Sequence, residues 1–338
     1  MSAAVDDTRP VDAGAIRRAA DVLCRGGLVA VPTETVYGLA ADADDRTAVA
    51  SIFAAKGRPA DHPVIVHVHD ERAIDAWTRD VPPAAHALAR AFWPGPLTLV
   101  LKRSARAHDG LTGGQDTVGL RCPAHPWARA LLAAFCAARG DAAAALAAPS
   151  ANRFGRISPT SAAHVRADLG EKPGGRVDLI LDGGACAVGI ESTIVDLTAA
   201  PPRLLRPGAI TRMQLQAVIG VAVVDADSMA PRAPGRLEQH YAPRTPLELV
   251  DAERLNARVD ELRGIRLALL AVRDAVPDRS ADVVLRLEPP GDPREYEHRL
   301  YAMLHDLDAA GAERILAVRP PADPAWEAVA DRLRRAAA

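Results

Sequence analysis

Apolar positions along this chain fall into short runs broken by proline and glycine. Within residues 11–26, Ile16, Ala19, Val22 and Leu23 recur at helical spacing and Gly26 supplies the stop. Leu28 to Val31 is wholly apolar, with Gly26 and Gly27 before it and Pro32 after it, which predicts a buried strand. Residues 47–55 read as a short helix that delivers Lys56 and Arg58 into a loop broken by Pro59, and residues 63–68 as a strand on which His67 and His69 share a face if it continues. A helix over 84–93 meets the hard turn Trp93-Pro94-Gly95-Pro96, followed by the β-rich run 97–101. Residues 117–121 end on Arg121, and residues 125–139 are helical by pattern. The alanine-rich segment 142–148 has helical propensity, yet Pro149 and the loop Ser150-Ala151-Asn152 favour a strand emptying into a turn. Two further strands, 177–181 and 193–197, flank the loop GGACAVGIES, and Arg206-Pro207-Gly208 makes another turn.

The pattern weakens over 221–246, where Pro231, Pro234, Gly235, Pro243 and Pro246 mark a linker. Beyond it the order is strand 247–250, helix 252–263, strands 265–272 and 282–288, helix 293–309, strand 313–318 and helix 324–336. That alternation predicts a small, mostly parallel, Rossmann-like α/β unit with helices on both faces. The expected division is a catalytic domain over 10–220, a linker or lid over 221–246 and a C-terminal domain over 247–338. A length of 338 residues suits two domains.

Composition narrows the class. Apolar residues at 49% and charged residues at 25% describe an ordinary globular chain. The net charge of −2 gives no global basic footprint for nucleic acid, so any basic patch is local. The N-terminal MSAAVDDTRP has no apolar core, so no signal peptide is expected, and no run approaches membrane-spanning length. Cys24, Cys122, Cys136 and Cys186 form no CxxC pair, consistent with reduced thiols in a cytoplasmic protein. Of the 41 Lys and Arg residues, only Lys56, Lys102 and Lys172 are lysines, which draws attention to Lys56 as a place where a compact ammonium is wanted.

The stretch GGLVAVPTETVYGLAADA, residues 26–43, is the hub of the reading. Thr33, Glu34 and Thr35 put two hydroxyls and a carboxylate at the carboxyl end of a strand, where open α/β sheets hold ligands. The competing reading is a Thr-capped turn into the helix expected near Thr47. There is no GxxxxGK[ST] and no GxGxxG, so a bound nucleotide must be held by side chains. Lys56 and Arg58 in one loop, Ser150 and Asn152 in another, and Arg206 beside a glycine are the cationic and hydroxyl groups phosphates need. A metal reading would combine His67 and His69 with Cys122 and His125.

Eight segments, PTETVYGLA (32–40), KGRPADHPVIVHV (56–68), WPGPLTLVL (93–101), TVGLRCPAHP (117–126), APSANRFGRISPT (148–160), IESTIVDL (190–197), LLRPGAI (204–210) and APGRLEQHYAP (233–243), resemble in order the pattern of the YrdC-like threonylcarbamoyl-AMP synthases, in their long form with a C-terminal domain. The resemblance implies an open, twisted mixed sheet around a large concave, electropositive cavity. It also implies a nucleotidyltransferase that forms L-threonylcarbamoyladenylate and pyrophosphate from L-threonine, bicarbonate and ATP, with Mg²⁺ bridging the phosphates. Its product would feed the tRNA threonylcarbamoyl-transferase machinery, and whether tRNA itself is bound is left open. The implied catalytic set is Lys56, Arg58, Ser150 and Asn152. Thr33, His67, Arg121, Ala148 and Ser192 fall at threonine-site positions. Thr117, Ser158, Arg206, His240 and Tyr241 fall, with the catalytic set, where ATP is contacted.

Those residue types suit the chemistry. Cations neutralise charge building on a phosphoryl group, a hydroxyl and an amide orient it without adding charge, and the planar fork of Arg121 fits a carboxylate. Glu34 and Glu191 are two of the acids inside the motifs, and each is open to two roles: taking the threonine amine proton, or capping backbone amides. Three departures stand out. His62 replaces the usual Asn after the KxRP loop, where it is able to alter pH dependence. Phe154 replaces a small polar residue after PSAN, and RLEQ replaces an aromatic-basic run ahead of His240. The alternative class, a non-catalytic RNA-binding module using the basic cavity, finds no RNA-recognition motif and few aromatics, at 4%, on which to stack bases.

Overall fold

The structure, a computed structural model, describes residues 8–235, 238–272 and 282–338. The expected linker run RLEQ therefore lies partly outside the described residues, at 236 and 237, as does most of the N-terminal decapeptide. Two compact units emerge: Met1–Phe154 with Pro159–Arg236, and Gly155–Ser158 with Leu237–Ala338. The short segment Gly155–Ser158 thus belongs to the second unit although the chain on both sides of it belongs to the first.

The first unit is built on a ten-stranded mixed sheet. In chain order its strands are β1 (Val29–Val31), β2 (Gly38–Asp42), β3 (Ile65–His67), β4 (Leu97–Lys102), β5 (Thr117–Arg121), β6 (Leu146–Ala147), β7 (Leu179–Ile180), β8 (Thr193–Asp196), β9 (Arg203–Arg206) and β10 (Val224–Asp225). Across the sheet they run β10-β9-β8-β4-β5-β3-β6-β2-β1-β7. β1 pairs antiparallel with β2 and parallel with β7; β3 pairs parallel with β5 and antiparallel with β6; β4 pairs antiparallel with β5 and parallel with β8.

Burial on both faces explains why β1 reads as a continuous apolar run rather than an alternating one. Val29 and Val31 pack into a cluster with Leu23, Leu131 and Phe135, contributed by the helices Ala13–Cys24 and Pro126–Arg139. Ala30, pointing the other way, joins the larger cluster of Leu39, Ile52, Trp77 and Leu99. The helix Ala13–Cys24 starts where the Asp12 carboxylate accepts the N–H groups of Gly14 and Ala15.

Three expected features are corrected. β2 is a strand where the sequence reading saw only the continuation of the hub. β9 occupies Arg203–Arg206, where only the turn at Arg206-Pro207-Gly208 was expected. The strand within 142–148 is only Leu146–Ala147. Beyond β10, Ala226, Ala230 and Ala233 pack on Ile65, Val100, Ile194 and Leu205, so this part of the expected linker lies on the sheet.

The second unit holds a four-stranded sheet of β11 (Leu247–Val250), β12 (Leu267–Leu270), β13 (Val283–Leu287) and β14 (Arg314–Val318), in the order β11-β14-β12-β13. Every pairing in it is parallel, somewhat stricter than the mostly parallel expectation. Leu267, Leu269 and Ala271 meet Leu255 and Val259 of the helix Leu255–Glu261 in a core of their own. Among the described residues no helix is long and apolar enough to cross a membrane.

Candidate active site

The loop after β1 is closed by Thr33. Its hydroxyl accepts the N–H groups of Thr35 and Val36 at 3.2 Å each, donates to the carbonyl of Val36 at 2.6 Å and touches the Thr35 hydroxyl at 2.9 Å. A Thr-capped turn is therefore present, but it leads into β2. The helix that follows, Arg46–Lys56, takes its cap from Asp45.

His67 and Arg121 are the last residues of the parallel neighbours β3 and β5 and stand in register. The Arg121 fork is committed within the protein: Nη2 donates to Glu34 Oε1 at 2.7 Å, Nη1 to the Thr35 hydroxyl at 2.8 Å and Nε to the Gly95 carbonyl at 3.3 Å. The other Glu34 oxygen accepts the N–H of Ala124 at 2.9 Å. Of the two roles open to Glu34, the structural one is what the geometry displays. Burial, and then the nearby Arg121 charge, push the His67 imidazole down to about 3, so it is neutral at physiological pH. Thr33, His67 and Ala148 come together on the wall of a small cavity whose other walls include Val31, Leu131 and Leu132. Those leucines belong to the apolar stripe of a helix, and nothing in their sequence pattern sets them apart from core residues.

Lys56 ends its helix, and Gly57, at φ 61, takes the left-handed cap that an L side chain resists, releasing Arg58 into the next loop. The Lys56 ammonium donates to the main-chain carbonyls of Ser150 and Asn152, each at 2.5 Å. Main-chain contacts hold that second loop from the other side: Leu39 N–H donates to Pro149 O at 2.7 Å, Ala151 N–H to Tyr37 O at 2.8 Å, and Gly38 bridges Ser150. Ser150 and Asn152 are thus tied to Lys56 through their backbone. The Asn152 amide donates to Arg153 O at 2.8 Å. Burial first, then the Arg58 charge, hold the Lys56 ammonium well below its ordinary value, while the carboxylates of Asp168 and Glu191 favour its charged form. Arg58 is buried and donates from Nη2 to Pro63 O at 2.7 Å.

Ser192, just before β8, and Arg206, at the end of β9, are in direct contact. Arg206 donates from Nε to Ser192 O at 3.0 Å and from Nη2 to Ser192 Oγ at 3.2 Å, and its Nη1 reaches Pro234 O at 3.0 Å. The Ser192 hydroxyl also meets Thr98 Oγ1 at 2.7 Å. Thr98 was not singled out from the sequence, being one β-branched residue in an apolar strand. Thr117 opens β5, at the opposite end from Arg121, and pairs in register with Lys102.

Ser158, His240 and Tyr241 lie in the second unit. Ser158 is buried and its carbonyl faces His305 Nε2 at 3.2 Å. The His240 N–H donates to Arg335 O at 3.0 Å. Tyr241 sits at φ 63, a region costly for a non-glycine residue, with its ring 4.2 Å from that of His240, 5.6 Å from that of Tyr301 and 5.3 Å from the guanidinium carbon of Arg332.

The four-residue metal reading is not supported. β3 ends at His67, the His69 carbonyl accepts from Cys122 Sγ at 3.2 Å, and His125 caps the helix it precedes through Trp127 N–H at 3.3 Å. Among the described residues no cluster of three or more His, Cys, Asp or Glu could hold a metal ion.

Comparison with known proteins identifies the family. A family model described as Telomere recombination, for the Sua5/YciO/YrdC family, matches residues 21–208, and one described as Threonylcarbamoyl-AMP synthase, C-terminal domain, matches residues 210–338. A threonylcarbamoyl-AMP synthase of Pyrococcus abyssi is 39% identical over 335 residues, covering 95% of this chain and 93% of that protein. One of Bacillus subtilis is 38% identical over 331 residues, covering 95% and 92%. The crystal structure of P. abyssi Sua5 complexed with L-threonine superposes with a TM-score of 0.86 at 37% identity, over 97% of this chain and 96% of that one. Family models spanning both units and relatives matched over nearly their whole length lead to one conclusion: the chain belongs to the Sua5/YciO/YrdC family, in the long form that carries a Sua5 C-terminal domain.

Proposed function

We propose that this protein is an L-threonylcarbamoyladenylate synthase, a nucleotidyltransferase that makes threonylcarbamoyl-AMP and pyrophosphate from L-threonine, bicarbonate and ATP, as the donor for threonylcarbamoylation of tRNA in the cytoplasm. The observation that carries the reading is the Lys56 ammonium holding the carbonyls of Ser150 and Asn152, which draws two loops from distant parts of the chain around one buried cation. The naming of its relatives and the threonine complex of the P. abyssi protein point the same way.

In this reading the threonine amine condenses with bicarbonate, losing water, to give an N-carboxy anion. One carbamate oxygen then attacks the α-phosphorus of ATP, forming a new P–O bond as the bond to pyrophosphate breaks. Lys56 and Arg58 neutralise charge on the phosphoryl oxygens, and the Ser150 hydroxyl and Asn152 amide orient it. Thr33, His67, Arg121, Ala148 and Ser192 receive threonine. The small apolar cavity beside Thr33, His67 and Ala148 suits a methyl-bearing side chain. Because Arg121 is already paired with Glu34, a threonine carboxylate would share the fork rather than own it. Thr117 and Arg206 are the further nucleotide contacts that the first unit supplies in the proposal. Mg²⁺ is expected as an escort of the ATP phosphates, because it is usually held by phosphate and water with few protein ligands.

The test is pyrophosphate release. Turnover should require ATP, L-threonine and bicarbonate together, and Lys56→Ala or Arg58→Ala should lower it by on the order of 100-fold with the fold retained. Release independent of threonine, near-normal turnover in either variant, or RNA binding without pyrophosphate would overturn the assignment.

A further inference from the structure

Two residues that the proposed chemistry leaves unused meet beside Arg58. His62 and Phe154 belong to different loops, yet their rings touch edge to face, with centroids 5.3 Å apart and planes at 63°. The guanidinium carbon of Arg58 lies 5.7 Å from the centroid of the same Phe154 ring. The guanidinium is also tied by Nη2 to the carbonyl of Pro63, the residue next to His62. Both rings hang on the backbone that carries the proposed catalytic groups. Phe154 N–H donates to the carbonyl of Lys56 at 2.9 Å, and His62 N–H to that of Pro59 at 3.3 Å.

A guanidinium lying against an aromatic ring and hydrogen-bonded to a fixed carbonyl has little freedom to turn. The charged groups facing His62 are Arg58, Asp61 and Arg232. Arg58 and Arg232 oppose its protonation, and Asp61, with Oδ1 4.0 Å from His62 Nε2, favours it. Burial, followed by the Arg58 charge, keeps the imidazole below its usual range. A protonated His62 would therefore set a second cation beside Arg58, and the two would repel.

We propose that His62 and Phe154 are positioning residues: the Phe154 ring, braced by a neutral His62, forms with the Pro63 carbonyl a bracket that holds the Arg58 guanidinium and fixes its direction toward the reacting phosphoryl group. The inference rests on the role proposed for Arg58. Its consequence is that protonation of His62 loosens the bracket, so His62 contributes part of the acid limb of activity.

The experiment has one arm that needs no turnover. The imidazole of His62 is titrated by NMR in the full-length protein and in Arg58→Gln. Its midpoint should rise in the variant, because the like charge has gone. The second arm follows kcat and KM for ATP against pH. Phe154→Leu, which keeps apolar bulk but loses the ring, should lower kcat by about tenfold with little change in KM for threonine, and Phe154→Tyr should restore it. His62→Gln should flatten the acid limb. An unmoved His62 midpoint in Arg58→Gln, an unchanged kcat in Phe154→Leu, or an acid limb identical in His62→Gln each overturns the bracket. If Arg58→Ala nevertheless abolishes turnover, the synthase assignment stands without it. If the unaltered protein makes no pyrophosphate, the assignment falls, while the titration still reports whether His62 and Arg58 are coupled.

Discussion

The ammonium of Lys56 lies 2.5 Å from the main-chain carbonyl oxygen of Ser150, a contact that spans 94 positions of the chain. Neither residue could make this contact from its own loop geometry alone. The helix Arg46–Lys56 supplies the cation at its last turn, and the start of β2 holds the Ser150 loop in place through Tyr37, Gly38 and Leu39. A buried ammonium held by two carbonyls suits an anion: burial and Arg58 disfavour its charge, Asp168 and Glu191 favour it, and a polyphosphate would favour it further.

That arrangement predicts proton uptake on nucleotide binding. The Lys56 ammonium is held well below its ordinary range in the substrate-free protein, and a polyphosphate beside it would raise it again. Calorimetry of ATP binding over a pH series, in buffers of different ionisation enthalpy, should report a proton uptake that grows as pH rises and is smaller in Lys56→Met. Equal proton counts in the two proteins would remove the coupling.

A second prediction concerns Glu34 and Arg121. The pair is buried at 2.7 Å, with side-chain exposures of 9% and 5%, so removing one charge strands the other away from water. Glu34→Gln should destabilise the first unit by about 3 kcal/mol in chemical denaturation. The double variant Glu34→Leu with Arg121→Met should recover much of that loss, because an apolar pair leaves no uncompensated charge. If the double variant is as unstable as the sum of the singles, the cost lies in packing and not in the ion pair.

Most helices and strands were legible because their apolar spacing is local. The helices Ala13–Cys24, Arg46–Lys56, Pro83–Phe92, Pro126–Arg139 and Pro293–Ala309 fall within a few residues of their predicted spans. β2 was not, because Gly38-Leu39-Ala40-Ala41-Asp42 is buried throughout and low in β-branched residues, so neither alternation nor propensity marks it. β9 was hidden by an arginine at each end. In the site, residue types placed the cationic and hydroxyl loops, but the partners did not follow from type. Glu34 to Arg121 and Thr98 to Ser192 are long-range pairings created by the order of strands in the sheet.

Gly208 offers a test of how tightly the Ser192–Arg206 corner is packed. A Cβ at this position would stand 2.6 Å from the Thr193 nitrogen and 2.9 Å from the Glu191 carbonyl, both main-chain atoms that cannot swing aside. Gly208→Ala should therefore cost about 1–3 kcal/mol of stability and lower turnover, as the strand that begins at Thr193 shifts under Ser192. Gly174→Ala, where a Cβ meets nothing within 4 Å, is the control and should stay within about 0.5 kcal/mol of the unaltered protein. Comparable losses in both would show that the corner has no special tightness.

The last prediction concerns the second unit and the direction of its pH dependence. Glu297, on the helix Pro293–Ala309, is buried, and that burial raises its carboxyl to about 7 against the downward pull of Arg332 and Arg294. In the unfolded chain the same group titrates near 4.5. Between these values the native protein keeps a proton that the unfolded chain gives up, so this contribution is fully present below about 4.5 and lost as pH rises through about 7. Glu297→Gln removes the titration while keeping size and polarity. Urea denaturation of both proteins at pH 5 and pH 8 should therefore show the variant gaining on the unaltered protein at the higher pH, by up to about 3 kcal/mol. The Arg332 guanidinium lies over the ring of Tyr241, so relief of the buried carboxylate should be felt where the strained Tyr241 backbone is held. Parallel stability curves at the two pH values would mean that Glu297 reaches water in the folded state.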